Sequence, residues 1–273
     1  MKKLLTLTFA AGLMATAFSL SAQSKTPSII VTKDGREIRA EKIELGKKGD
    51  YRYNEVGDKV TKSFRKGEVK WAWIPKPKAV RNADAKFKEG NFAEAASAYK
   101  DACKEYKDLG WEVYCLFGEA KALDKNGKES DALAVLEDLL TYKKVNPKNE
   151  EQLMEAYKYL VQKYLDNKAF DKALPVAATL SESANDNVAC DAFMTRGNIL
   201  LAKAEVTGNK EDLKAAALAY FQAALLFPNG KNNAAAILAA YNTLTKAKDA
   251  RAEKFAELLK QKHPASSEAK QLK

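Results

Sequence analysis

One histidine, three cysteines and three tryptophans in 273 residues leave this chain poorly supplied for side-chain chemistry. The histidine, His263, stands in Lys262-His263-Pro264 near the end of the chain, with no acid or nucleophile beside it in sequence. A Ser/His/Asp or Cys/His relay would have to use it, so neither is expected. It reads instead as a helix-terminal partner for the last carbonyls. One His and three scattered Cys do not supply the usual zinc spacings. Gly110, Gly118 and Gly127 are too dispersed to form a phosphate loop. Acid pairs such as Asp186 with Asp191 carry no information in a chain with 36 acids. The expectation is a protein that is not an enzyme and holds no cofactor or metal.

Long apolar runs are equally scarce. One stretches from Leu4 to Leu20 behind Lys2 and Lys3, with small residues Ser19, Ser21 and Ala22 after it and polar Gln23 and Ser24 beyond. That is the layout of a secretory signal peptide, residues 1–22, cleaved near Ala22. A membrane anchor is the competing reading, but the run is at the short limit for spanning a bilayer. No cysteine stands at the cleavage region, which argues against a lipid anchor. No later segment reaches spanning length, so no membrane span is expected after signal removal. A periplasmic or secreted protein of a Gram-negative bacterium is the expected setting. Removing Lys2 and Lys3 leaves a net charge of about +8, spread in alternating signs as on solvated helix faces. No nucleic-acid reading motif accompanies that charge.

Residues 28–74 have the grammar of strands. Ser28 to Thr32 is β-branched, and Asp34-Gly35 is a hairpin signal. Glu37 to Leu45 alternates with Ile38, Ile43 and Leu45 apolar, and Ala40 marks a bulge or bend. Tyr51 to Tyr53 and Val60 to Phe64 flank a turn at Gly57-Asp58, and a last strand carries Val69, Trp71 and Trp73. Period-two spacing places these three on one face. Trp71 and Trp73 are therefore either a core face, a seam on which the first helix docks, or an aromatic platform for a peptide or glycan. The module weakly resembles small SH3-like or Lsm-like barrels. Pro75 and Pro77 make residues 75–78 a stiff linker.

From residue 79 to 268 a spaced pattern returns. Its clearest copy is Gly90-Asn91-Phe92-Ala93-Glu94-Ala95, followed by Tyr99 and Ala102 and preceded by Ala83 and Phe87. Glycine supplies a left-handed turn, the aromatic plugs the hairpin, and alanines let two helices approach. Aligned alanines Ala95, Ala132, Ala173, Ala217 and Ala252 recur at about 35–44 residues, the period of a helix–turn–helix unit. On these residues the segment resembles a tetratricopeptide repeat (TPR). It departs from the pattern at Glu129 and Lys168, at about two extra helical turns around Ala202 to Glu211, and in a fifth unit lacking turn glycine and aromatic. The fold class expected is α+β with two domains: a small five-stranded β-barrel, then an α-solenoid of about five TPR-like helical hairpins. An ordinary helical bundle is the alternative.

The resemblance implies a scaffold whose first helices line a concave groove for a peptide or partner helix. Carried over unit by unit, the groove positions are Asp84, Phe87 and Lys88, then Tyr114, Phe117, Lys121 and Lys125. Lys158 and Gln162 follow in the third unit, Met194 and Asn198 in the fourth, and Tyr241 in the fifth. Lys88, Lys121, Lys125 and Lys158 would make the early groove basic, suited to an acidic segment or a C-terminal carboxylate. The competing function is an envelope glycan or peptidoglycan binder using the β module, with the repeats as spacer. Cys103 and Cys115 flank a loop near Asp108 to Gly110 and are candidates for a disulfide. Two small apolar core side chains are the other reading.

Overall fold

The computed structural model describes residues 26–141, 146–181 and 185–272. The expected signal peptide lies outside them. The N-terminal module is one antiparallel sheet of β1 (Ser28–Thr32), β2 (Glu37–Leu45), β3 (Tyr51–Glu55), β4 (Lys62–Phe64) and β5 (Val69–Trp73), ordered β4-β3-β2-β1-β5. All five expected strands are present, with β4 shorter than expected because Val60 stays in the exposed turn. The expected closed barrel is not formed. The edges β4 and β5 follow one another through a single-turn 3-10 helix, Lys66–Glu68, without a ladder between them.

Two bulges shape the sheet. In β2 the pairing steps from Ala40–Glu55 to Lys42–Asn54, leaving Glu41 extra. This keeps Ala40 and Ile43 on the core face although they are three apart. In β5 the pairing steps from Val69–Thr32 to Trp71–Val31, leaving Lys70 extra. Side chains after that bulge are flipped relative to simple alternation. Val69 and Ala72 consequently enter the core with Ile30, Tyr51 and Tyr53, whereas Trp71 and Trp73 share the opposite face and are half-buried. The expectation that Val69 shares a face with both tryptophans is thus corrected.

Among the described residues ten α-helices follow: α1 (Lys78–Lys88), α2 (Phe92–Glu105), α3 (Glu112–Lys125), α4 (Glu129–Leu140), α5 (Glu150–Asp166), α6 (Phe170–Ser181), α7 (Asp186–Thr207), α8 (Lys210–Leu226), α9 (Asn233–Lys246) and α10 (Ala252–Lys262). They pair in sequence as five hairpins. Each hairpin tip holds one residue in the left-handed region: Gly90 (φ 83°), Gly127 (76°), Lys168 (53°), Gly208 (71°) and Lys248 (55°). A reversal this tight needs that conformation whether or not glycine supplies it. Lys168 and Lys248 accept it at a cost of about 1–2 kcal/mol each relative to glycine. The five aligned alanines are all buried. In the first three hairpins the alanine falls five residues after the left-handed one, at Ala95, Ala132 and Ala173. In the fourth it falls a further helical turn along, because the extra residues lengthen both α7 and α8.

Two glycines inside helices mark the closest approaches. A Cβ on Gly118 of α3 would lie 2.7 Å from the ring of Tyr99 on α2, and one on Gly197 of α7 would lie 2.4 Å from Tyr220 on α8. Tyr157, Leu160, Tyr164, Phe170, Leu136 and Leu139 form the largest apolar cluster, in the middle of the stack. Burial at neighbouring faces, with no central core, is the arrangement of a repeat array.

The sheet is fastened to the first two hairpins by the loop after α2. Leu109 enters the sheet's own core. Its carbonyl oxygen accepts from Ile74 N at 3.3 Å, and Trp111 Nε1 donates to Ile74 O at 2.9 Å. Lys66 of the sheet pairs with Asp108 at 2.8 Å. Gly110 is obligatory here: its φ is 85°, and a Cβ would meet Trp73 at 2.9 Å and Ala72 O at 3.0 Å.

Candidate binding groove

The odd-numbered helices carry every groove position derived from the sequence, but the structure divides those positions into three groups. The first group is already occupied from within. Asp84 accepts hydrogen bonds from Tyr99 OH at 2.7 Å and Tyr114 OH at 2.9 Å, and it pairs with Lys76 of the linker. Lys76 Nζ also donates to Tyr114 OH at 2.7 Å and stands 4.2 Å above that ring. Although burial opposes its charge, the bonds to Asp84 and Tyr114 raise the Lys76 pKa. The linker lysine thus sits where a partner's cation would, and Asp84 and Tyr114 hold the linker. Phe87 packs edge-on against Phe92, 5.4 Å between ring centres, and helps close the first hairpin.

The second group, between α3 and α5, is largely a packed junction. Phe117 is buried, edge-on to Tyr159 at 5.8 Å, and Lys121 lies 4.2 Å over the Phe117 ring. Lys163 pairs with Asp124 at 2.7 Å, and Tyr159 OH donates to the same carboxylate. Burial acts to raise the Asp124 pKa, yet these two donors hold it below the usual value. Lys125 and Lys88 are exposed. Acids accompany the expected lysines: Asp84 shares α1 with Lys88, Asp124 shares α3 with Lys121 and Lys125, and Asp191 on α7 pairs with Lys158.

The third group forms a cleft. Lys158, Val161, Gln162 and Leu165 of α5 face Asp191, Met194, Thr195 and Asn198 of α7 across about 260 Å³ of open space. Four expected residues from two different repeats, Lys158, Gln162, Met194 and Asn198, meet here. Val161, Leu165 and Met194 give an apolar floor. The rim is polar and held in place: Lys158 pairs with Asp191 at 2.6 Å, Asn232 Nδ2 donates to Asp191 at 2.5 Å, and Tyr220 OH donates to Asn198 Oδ1 at 2.7 Å. Gln162 Nε2 donates to Asp166 at 2.8 Å. Asp191 and Thr195 escaped the sequence reading because the repeat pattern marks packing positions, and these lie between them. Tyr241 stands apart, packed with Ala217, Leu244 and Phe255 in the last hairpins.

The remaining sequence candidates have structural partners. Trp73 lies 6.5 Å from Trp111 between ring centres, with Lys148 Nζ 5.7 Å above it. Trp73 therefore lies in the seam between sheet and helices, and half-buried Trp71 borders a small hollow with Lys107, Asp108, Gly110 and Asn146. Cys103 and Cys115 pack in one small apolar cluster with Val80 and Ala102, and both thiols are free, as is Cys190. Of the two readings of this pair, the structure has the small apolar core side chains and not the disulfide. Burial pushes the Cys103 and Cys115 thiols up to about 11 and about 12. His263 Nε2 meets Asn233 Oδ1 at 2.8 Å, and Asn233 donates to Ala224 O at 2.7 Å, so the histidine ties α10 to α9. Among the described residues no group of three His, Cys, Asp or Glu is placed to hold a metal, and no helix is long and apolar enough to cross a membrane.

Five antiparallel hairpins stacked side by side, each turned by one left-handed residue, decide the architecture. The helical part is a TPR-like solenoid. Solved structures with similar architecture include the apo form of RapI, at 13% identity and TM-score 0.49, covering 70% of this chain and 54% of that one. TPR-like repeats of a putative kinesin light chain from Podosopora anserina align at 12% identity and TM-score 0.47, covering 69% of this chain and 95% of theirs. A Rap protein complexed with competence and sporulation factor aligns at 16% identity and TM-score 0.41, covering 71% and 54%. The aligned part spans about half the length of the Rap proteins. No family model and no curated protein matches the chain.

Proposed function

We propose that this protein is a non-enzymatic interaction scaffold that takes an extended peptide of a partner protein across α5 and α7, anchored by one apolar side chain in the cleft between them. The cleft carries the reading. Its apolar floor favours a side chain of Leu or Met size, while the amides of Gln162 and Asn198 stand where an extended backbone would offer N–H and C=O groups. The mixed charge of Lys158 and Asp191 suits a peptide of both signs at that point. Lys88 and Lys125, exposed nearer the start of the stack, favour an acidic continuation of the same peptide.

We also propose that the chain acts outside the cytoplasm. Lys2-Lys3, the apolar run to Leu20 and the small residues before Gln23 support export to the periplasm or beyond.

The test is selection of peptides from a random displayed library on the mature chain, followed by calorimetric titration of the enriched sequences. The scaffold reading expects enriched peptides that share an apolar residue and lose roughly tenfold or more in affinity on Met194→Asp with Gln162→Ala. A control change at Lys260→Asp, on the last helix, leaves binding unaltered. Peptides that bind the cleft variant as tightly as the original would overturn the assignment.

A further inference from the structure

A second concave surface lies on the β module, away from the solenoid groove. The turn between β2 and β3 and the start of the 3-10 helix after β4 enclose about 720 Å³ of open cleft. Five cationic side chains line it: Lys47, Lys48, Arg52, Arg65 and Lys66, against a single acid, Asp50. Chain geometry brings them together. β2 and β3 meet at the turn carrying Lys47 and Lys48, and β4 runs back antiparallel to β3 to deliver Arg65 and Lys66 to the same end of the sheet. At Gly49 the turn lies against the Lys66 stem, since a Cβ there would sit 3.4 Å from Lys66 Cδ.

The one acid is already spoken for. Arg52 Nε donates to Asp50 Oδ2 at 2.9 Å, and the Asp50 pKa is held low by that bond. Its carboxylate folds back against the turn, where a Cβ on Gly46 would lie 2.2 Å from it. Lys66 leans on Asp108. Lys47, Lys48 and Arg65 have no ion pair among the described residues. An array of like charges held in a concavity raises the local concentration of anions and penalises the empty state.

We infer that this cleft binds a phosphate-bearing ligand of at least two negative charges. A monocarboxylate would leave most of the positive charge uncompensated. Phosphate groups offer several acceptor oxygens for the forked guanidinium of Arg65 and point charge for the two lysines. The site is independent of the peptide cleft and uses none of its residues.

Pyrophosphate is the probe. Calorimetric titration of the mature chain at low ionic strength is compared with Lys47→Glu/Lys48→Glu/Arg65→Glu, three exposed positions that carry no structural contact described above. Lys210→Glu/Lys254→Glu/Lys260→Glu, the same charge change at exposed positions of the last helices, is the control, and circular dichroism melts verify folding of both. The inference expects saturable binding, weakening as salt rises. It expects a loss of about tenfold or more in the cleft variant, from three exposed contacts each of small individual effect, and less than about twofold in the control. A parallel arm measures co-sedimentation with phosphatidylglycerol vesicles. Capture that depends on the three residues, without pyrophosphate binding, supports the same site with a lipid headgroup as its source. Absence of binding in both arms, or equal losses in cleft and control variants, overturns the inference.

Discussion

Trp111 donates its indole N–H to the carbonyl oxygen of Ile74 at 2.9 Å, joining the second hairpin to the last residue before the linker. The same ring packs edge-on against Tyr114 and faces Trp73. One side chain thereby couples sheet, linker and solenoid. Replacing Trp111 by Phe keeps most of the apolar contact but leaves that carbonyl without its donor. A loss of about 1–3 kcal/mol in chemical unfolding is expected. If the sheet and the solenoid then melt separately, near-ultraviolet and far-ultraviolet signals will no longer coincide.

Ala95 and Ala173 are fully buried where two helices of a hairpin meet. Changing either to Leu should cost about 1–3 kcal/mol by overpacking. Gly118→Ala should also destabilise, since the new methyl would meet the Tyr99 ring at 2.7 Å. The favourable helix propensity of alanine, about 1 kcal/mol, only partly offsets that clash. Thermal melts of the three variants check both statements, and unchanged melting temperatures would contradict the packing described.

The thiols offer a direct chemical readout. With three free cysteines, two of them buried and all with raised pKa values, a thiol reagent at pH 8 should react slowly with the native protein. In denaturant, without reductant, all three should react at once. Two unreactive cysteines under denaturing conditions would restore the disulfide.

Asp249 supplies a pH marker. Hydrogen bonds from the Arg251 guanidinium and backbone N–H hold its pKa at about 2. The folded value lies below the unfolded one, so its small contribution is complete above about pH 4 and disappears as pH falls through about 2. An NMR titration of the Asp249 carboxyl reads this directly, and Arg251→Gln should move the midpoint upward.

Export has its own measurement. N-terminal sequencing of protein recovered from cells should begin within a few residues of Gln23. An intact Met1 in the membrane fraction would refute the signal-peptide proposal.

The legible parts of this fold were those set by local rules. Asp34-Gly35 and Gly57-Asp58 announce turns, and the Gly90 to Ala102 spacing announces a helical hairpin. The face of Trp71 was not legible, because one unpaired residue, Lys70, inverts the alternation and only the register with β1 reveals it. The tips at Lys168 and Lys248 were hidden for a related reason: lysine gives no advance sign of a left-handed backbone. In the groove, Lys158, Gln162, Met194 and Asn198 could be found from repeat position. That Asp84 and Tyr114 are consumed by Lys76 depends on where the linker crosses α1 and α3, which no spacing within a repeat encodes.

The fourth hairpin shows what its left-handed tip permits. With the reversal confined to Gly208 and its neighbours, a turn can slide outward as residues are added in step to both arms. Val206, two residues before that tip, is 56% exposed. Arm length is therefore a dimension along which such a chain can vary independently of how its units stack.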